Sequence, residues 1–99
     1  MNVMMIRPTV KTESVDELEA AVEKMFAAIE QAKPEGVRYA SCKLADGVTF
    51  VVLLALDDGI DNPLLAVPEF REFQENLRKW IIEPPLPDQL TVLGSYRLF

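Results

Sequence analysis

The chain contains no histidine and a single cysteine, Cys42, among its 99 residues. Without histidine it lacks the usual general base near neutral pH, the commonest zinc ligand and the usual proximal ligand of haem. The common general-base, zinc and haem mechanisms are thereby disfavoured, and neither a cofactor nor a metal site is expected. A lone cysteine forms no intramolecular disulfide, which fits a reducing, cytoplasmic setting. Basic residues are scarce as well: ten Lys and Arg stand against sixteen Asp and Glu, for a net charge of −6. Such a chain repels phosphate backbones and anionic lipid, so no nucleic acid and no membrane surface is expected as a partner. The longest stretch without a charge, Gly47 to Leu56, is ten residues, well short of the roughly 18 needed to cross a bilayer. Met1 to Arg7 lacks the apolar length of a signal peptide. With no repeat, low-complexity tract or linker, residues 1–99 are expected to form one domain.

What is present is enough apolar material for a core, 49% of the residues. Val3, Met4, Met5, Ile6 and Val10 make the first ten residues a strand, with Pro8 tolerated at an edge or strand end. Ser14 and Glu17 have the spacing of a capping box, which predicts a helix starting near Ser14. Its apolar stripe is Val15, Leu18, Val22, Met25 and Ile29, with Asp16, Glu19, Glu23 and Glu30 on the other side, and Lys33, Pro34 and Gly36 end it. Val37 to Leu44 and Val48 to Leu56 read as antiparallel strands joined by a tight turn at Asp46-Gly47. Pro68 suits the first turn of a second helix, whose stripe is Phe70, Phe73, Leu77, Trp80 and Ile81. Glu75 and Lys79 are placed to pair at i, i+4, and Pro84 stops the helix. Pro84, Pro85 and Pro87 mark a loop, after which Leu90 to Phe99 alternates well enough to read as a final strand.

The order is βαββαβ. With right-handed crossovers this gives an α+β, ferredoxin-like sandwich: a four-stranded antiparallel sheet carrying both helices on one face. The third strand is apolar on both sides, with Phe50, Val52, Leu54 and Leu56 facing one way and Val51, Leu53 and Ala55 the other. Helices cover only one face. A bare second face would expose more apolar surface than a soluble monomer usually tolerates, which predicts a homodimer through the open sheet face.

The element order, Gly36-Val37-Arg38-Tyr39 opening the second strand, and Pro68-Glu69-Phe70-Arg71-Glu72-Phe73 followed by Leu77 and Pro84-Pro85 together resemble the dimeric α+β barrel superfamily, and within it the antibiotic-biosynthesis-monooxygenase group. The resemblance implies a homodimeric α+β barrel. It also implies one of several roles found among such members: cofactor-independent oxidation of quinol- or anthrone-like aromatics by dioxygen, haem degradation, or a function that is unassigned. This chain departs from the group's pattern at Glu69, where a histidine is common, and at Val67, where serine is common. The haem-degrading branch uses an Asn, a Trp and a haem-ligating His; Asn2 and Trp80 are loose counterparts of two, and nothing supplies the third.

Among individual residues, Phe70, Phe73, Leu77 and Trp80 with Tyr39 are the candidates for an apolar aromatic-binding pocket between helix and sheet, set against plain core packing. Tyr39, Tyr96, Arg7, Arg38 and Arg97 are the polar groups that strands could turn toward a phenolic or carboxylate substrate, although Tyr96 and Arg97 cannot share a face. Cys42 is expected to be a small buried hydrophobe rather than a nucleophile. Asp57, Asp58, Asp61 and Asn62 lack the spacing of a cation loop and read as a solvated turn. No catalytic residue is singled out. Two functions stay open: a small homodimeric protein with an apolar pocket acting as a cofactor-free monooxygenase, or a non-enzymatic small-ligand-binding or interaction protein.

Overall fold

A computed structural model describes all of residues 1–99. It contains β1 (Asn2–Ile6), α1 (Val15–Ala32), β2 (Val37–Lys43), β3 (Phe50–Leu56), α2 (Pro68–Trp80) and β4 (Asp88–Leu90), with 3-10 turns at Thr12–Ser14 and Pro63–Ala66. The four strands form one antiparallel sheet in the order β2-β3-β1-β4. This is the βαββαβ ferredoxin-like arrangement, with the two long strands of the hairpin on one side of β1 and the short β4 on the other.

Register sorts the side chains between the two faces. Tyr39, Leu54 and Met4 lie in one cross-strand row, and Ser41, Val52 and Ile6 in the next. Because side chains alternate along a strand, all six point to the same side. That side is the one under the helices, where Tyr39, Leu54 and Val37 pack on a core built from Leu18, Met25, Phe50, Leu64, Phe70, Phe73, Leu77 and Trp80. The opposite face carries Met5, Leu53 and Ala40 in one row and Val3, Ala55 and Arg38 in the next. Most of these are apolar, so the two-sided character of β3 extends across the sheet.

The helices end as their residues dictate. Lys33 closes α1 in the left-handed conformation (φ 48°) and returns its backbone N–H to Ile29 O. Pro68 occupies the first turn of α2, and Ile81 ends it by switching to an extended conformation three residues before Pro84. The capping box does not form: Ser14 sits in a 3-10 turn with near-helical angles and makes no side-chain cap bond. A serine held in that conformation cannot aim its oxygen at the helix's free N–H groups as a cap does. Glu75 and Lys79 do not pair either. The ion pairs run between elements instead, from Lys43 on β2 to Glu19 on α1 at 2.8 Å and from Lys24 on α1 to Glu72 on α2 at 3.6 Å.

The β2–β3 connection is longer than a two-residue turn. Asp46 organises it, its carboxylate accepting from Val48 N (3.0 Å), Thr49 N (2.8 Å) and Thr49 Oγ1 (2.6 Å), while Gly47 adopts φ 79°. The first strand is likewise shorter than ten residues. It stops at Ile6, and past Pro8 the chain pairs only through bridges from Thr9 to Thr49 and from Val10 to Ile81.

The last strand differs most from expectation. β4 covers Asp88–Leu90 rather than Leu90–Phe99. The register Val3↔Leu90 leaves β1, which begins at Asn2, almost nothing further to pair with. Beyond Leu90 the chain is irregular, and Arg97 takes a positive φ of 63° that a strand does not accommodate. The alternating apolar residues are instead exposed, Leu93 at 97% and Tyr96 at 82%.

Candidate functional site

The same-face rows of the sheet form the floor of an apolar cavity of about 330 Å³. Tyr39, Ser41, Val52, Leu54, Met4 and Ile6 supply the floor, and Phe70, Phe73, Gln74 and Leu77 supply the roof. The roof residues are spaced by three and four along α2, which places them on one side of that helix. Asn62 and Leu65, from the 3-10 segment that leads into α2, close one flank. Asn62 is fixed there because its Oδ1 accepts from Leu64 N at 3.0 Å. Its amide NH2 is left over for a ligand.

None of the lining residues is Asp, Glu, Lys or Arg. The polar groups are the Tyr39 and Ser41 hydroxyls and the Asn62 and Gln74 amides. Tyr39 lies within an aromatic cluster, its ring stacked on Phe26 at 5.2 Å and meeting Phe70 edge-on at 5.7 Å. Burial in this apolar setting pushes the phenol up to about 12. It therefore stays protonated at neutral pH and acts as a hydrogen-bond donor or acceptor, never as a general base. A site of this kind favours an uncharged, largely apolar guest, since a charge placed in it would find no counter-ion. The volume lies at the small end of the range for ligand sites, roughly 300–1,000 Å³.

No family model matches the chain, and no curated protein matches it either. Solved structures do. A protein of Bacteriodes thetaiotaomicron provisionally named an antibiotic biosynthesis monooxygenase superposes with a TM-score of 0.78 at 16% identity, over 94% of this chain and 90% of that one. A similarly named protein of Nitrosomonas europaea gives 0.74 at 18% identity, over 95% and 100%. A protein of unknown function from Nitrosomonas europaea gives 0.74 at 15%, over 96% and 91%. The chain has the fold of the antibiotic-biosynthesis-monooxygenase-like structures. At these identities the likeness is one of architecture, and a shared architecture hosts many functions.

Within that fold, Tyr39, Phe70, Phe73 and Leu77 come together around the cavity, whereas Trp80 does not line it. Trp80 is 5% exposed and packs on Phe73 with ring centroids 5.9 Å apart, on the core side of α2. None of Arg7, Arg38, Tyr96 and Arg97 lines the cavity. Arg38 follows the parity of the open face, and Arg97 lies over the exposed ring of its neighbour Tyr96 at 5.1 Å. Asn2 is exposed at the start of β1 and accepts from the Gln89 amide. Cys42 is exposed rather than buried, because β2 is an edge strand and Cys42 points to the face without helices. Ser41 and Gln74 were both findable: Ser41 shares the strand parity of Tyr39, and Gln74 shares the helical stripe of Phe70 and Leu77. Asn62 carries no such signal, since a loop segment brings it to the cavity.

Proposed function

We propose that this chain is a small homodimeric protein, resembling the antibiotic-biosynthesis monooxygenases, whose cavity binds a small, uncharged aromatic molecule of quinol or anthrone type and oxidises it with dioxygen. The observation that carries the reading is the cavity itself: apolar, sized for such a ligand, free of charged side chains, and provided with hydroxyl and amide groups for orientation. Tyr39, Phe70, Phe73 and Leu77 are its ligand-contacting residues. In such a reaction the ring system is the reductant. For an anthrone, the CH2 carbon takes one oxygen atom as a carbonyl, and its two hydrogens leave with the other oxygen as water. The protein's part is to strip water from the substrate and orient it, with Tyr39, Asn62 or Gln74 hydrogen-bonding the ring oxygen as charge develops there.

The dimer follows from the open sheet face, where Leu53, Ala40 and Val51 have the strand parity opposite to Tyr39 and Leu54 on the cavity floor. Packing that face on its twofold copy removes an apolar surface from water. No helix is long and apolar enough to cross a membrane. An exposed, unpaired thiol at Cys42 suits a reducing compartment, and we place the protein in the cytoplasm.

One observation favours a second reading, a non-enzymatic ligand-binding protein. No lining side chain can accept a proton near neutral pH, so a substrate that must be deprotonated before it reacts finds no base in the cavity. Oxygen uptake with a panel of quinols and anthrones decides between the two. Consumption above the uncatalysed background, abolished by filling the cavity, supports oxidation; background consumption by folded, ligand-binding protein supports carriage.

A further inference from the structure

A second recess adjoins the cavity on the other side of Tyr39. It is more open, about 650 Å³, and is lined by Phe26, Ile29, Val37 and Leu64, with Lys33 and Glu30 among its polar residues. Tyr39 is the one residue that lines both spaces. The packing of its ring matches that position: it stacks on Phe26, which lines the recess, and makes a T-shaped contact with Phe70, which lines the cavity. A single aromatic side chain therefore stands between a half-open apolar cavity and a larger recess whose lining includes charged groups.

We propose that Tyr39 is the partition that sets the length of the ligand. This rests on the cavity being a binding site for small uncharged aromatics. With Tyr39 in place, a guest is confined to the space between α2 and the sheet and stops at the phenol ring. Removing the ring joins the two spaces, so that the aromatic part of a longer guest keeps its place under Phe70 while an extension passes between Phe26 and Ile29. Lys33 and Glu30 belong to the lining of that recess, so a polar terminus on the extension is tolerated there. Tyr39 is then a specificity-determining residue through its bulk, and its hydroxyl is dispensable for that role.

The test uses two uncharged fluorescent probes, a naphthalene bearing a one-carbon alcohol and a naphthalene bearing an octyl-length alcohol. Their affinities are measured on the full chain by fluorescence titration. The wild-type protein binds the short probe in preference to the long one. In Tyr39→Ala the preference shifts toward the long probe by about tenfold or more, a change of roughly 1.4 kcal/mol. Tyr39→Phe keeps the wild-type preference. Tyr39→Leu retains more of the packing and shows the same shift in smaller measure, which covers the case in which the alanine variant does not fold. Adding Ile29→Trp to Tyr39→Ala or Tyr39→Leu fills the recess and restores the wild-type preference. An unchanged preference in both shortened variants overturns the partition. A shift that Ile29→Trp fails to reverse also overturns it, since the gain then comes from a loosened core. Failure of the wild-type protein to bind the short probe overturns the underlying binding site, and the partition with it.

Discussion

Tyr39 on β2 and Phe26 on α1 stack with ring centroids 5.2 Å apart and ring planes 12° from parallel. This contact ties the first helix to the floor of the cavity. It also contributes to holding the Tyr39 phenol protonated, since it covers one face of the ring with hydrocarbon and so adds to the burial that raises its pKa.

The burial of that phenol gives a pH dependence. Its pKa is raised from 10.0 to about 12, so between these values the unfolded chain releases the proton while the folded chain keeps it. Stability contributed by this group is complete below pH 10 and falls as pH rises toward 12, by roughly 2–3 kcal/mol in all. Denaturant titrations of wild type and Tyr39→Phe across that window isolate it. The difference between the two proteins should shrink or reverse in favour of Tyr39→Phe as pH rises.

Asp46 behaves in the opposite sense. Its hydrogen bonds from Thr49 and Val48 hold its carboxyl below the usual carboxylate range. The stabilisation is present above the ordinary Asp value and is lost as pH falls through the folded one. Asp46→Ala should speed amide exchange at Val48 and Thr49 at neutral pH, and the gap between variant and wild type should close in acid. Equal exchange rates at neutral pH would show that the turn holds without the carboxylate.

Trp80 and Phe70 should separate stability from binding. Trp80→Ala empties a core position and should cost about 3–5 kcal/mol, while the folded fraction keeps its affinity for a small aromatic. Trp80→Phe, which leaves less empty volume, should show the same pattern more mildly. Phe70→Ala removes cavity wall and core together, so affinity and stability should both drop. Binding and denaturation measured on the same samples distinguish the two outcomes.

The open face yields a prediction about assembly. Leu53 lies between Met5 and Ala40 in one cross-strand row, on the side away from the helices. Leu53→Lys places a charge in the middle of the proposed interface. Light scattering should give twice 11.2 kDa for the wild-type protein and 11.2 kDa for the variant, with circular dichroism unchanged. A wild-type monomer would remove the interface.

The parts of the fold that local pattern controls were readable from the residues. The stripe on α2, Pro68 at its start, and the two-sided apolar strand β3 each follow from spacing alone, and so do Phe70, Phe73 and Leu77 of the cavity, whereas Tyr39 is one of several polar strand residues that spacing does not rank. The parts that depend on neighbours were not. Alternation from Val92 to Leu98 resembles a strand, but pairing needs a partner strand, and the β1 register ends at Val3↔Leu90. Cys42 has the composition of a buried position and lies on an edge strand facing away from the helices. Trp80 shares the stripe of Phe70 and Phe73; only the packing of the helix end decides that it meets the core and not the cavity. Asn62 reaches the site from a loop, where periodicity carries no information.

The space between α2 and the sheet is proposed to hold a small uncharged aromatic. An NMR titration of isotope-labelled protein with anthrone tests it most directly. Saturable shifts are expected at Tyr39, Ser41, Phe70, Phe73, Gln74 and Leu77, with Trp80 and the open-face residue Leu53 little affected. Shifts that are absent, or that gather on the open face or the exposed tail from Val92 to Leu98, would contradict it.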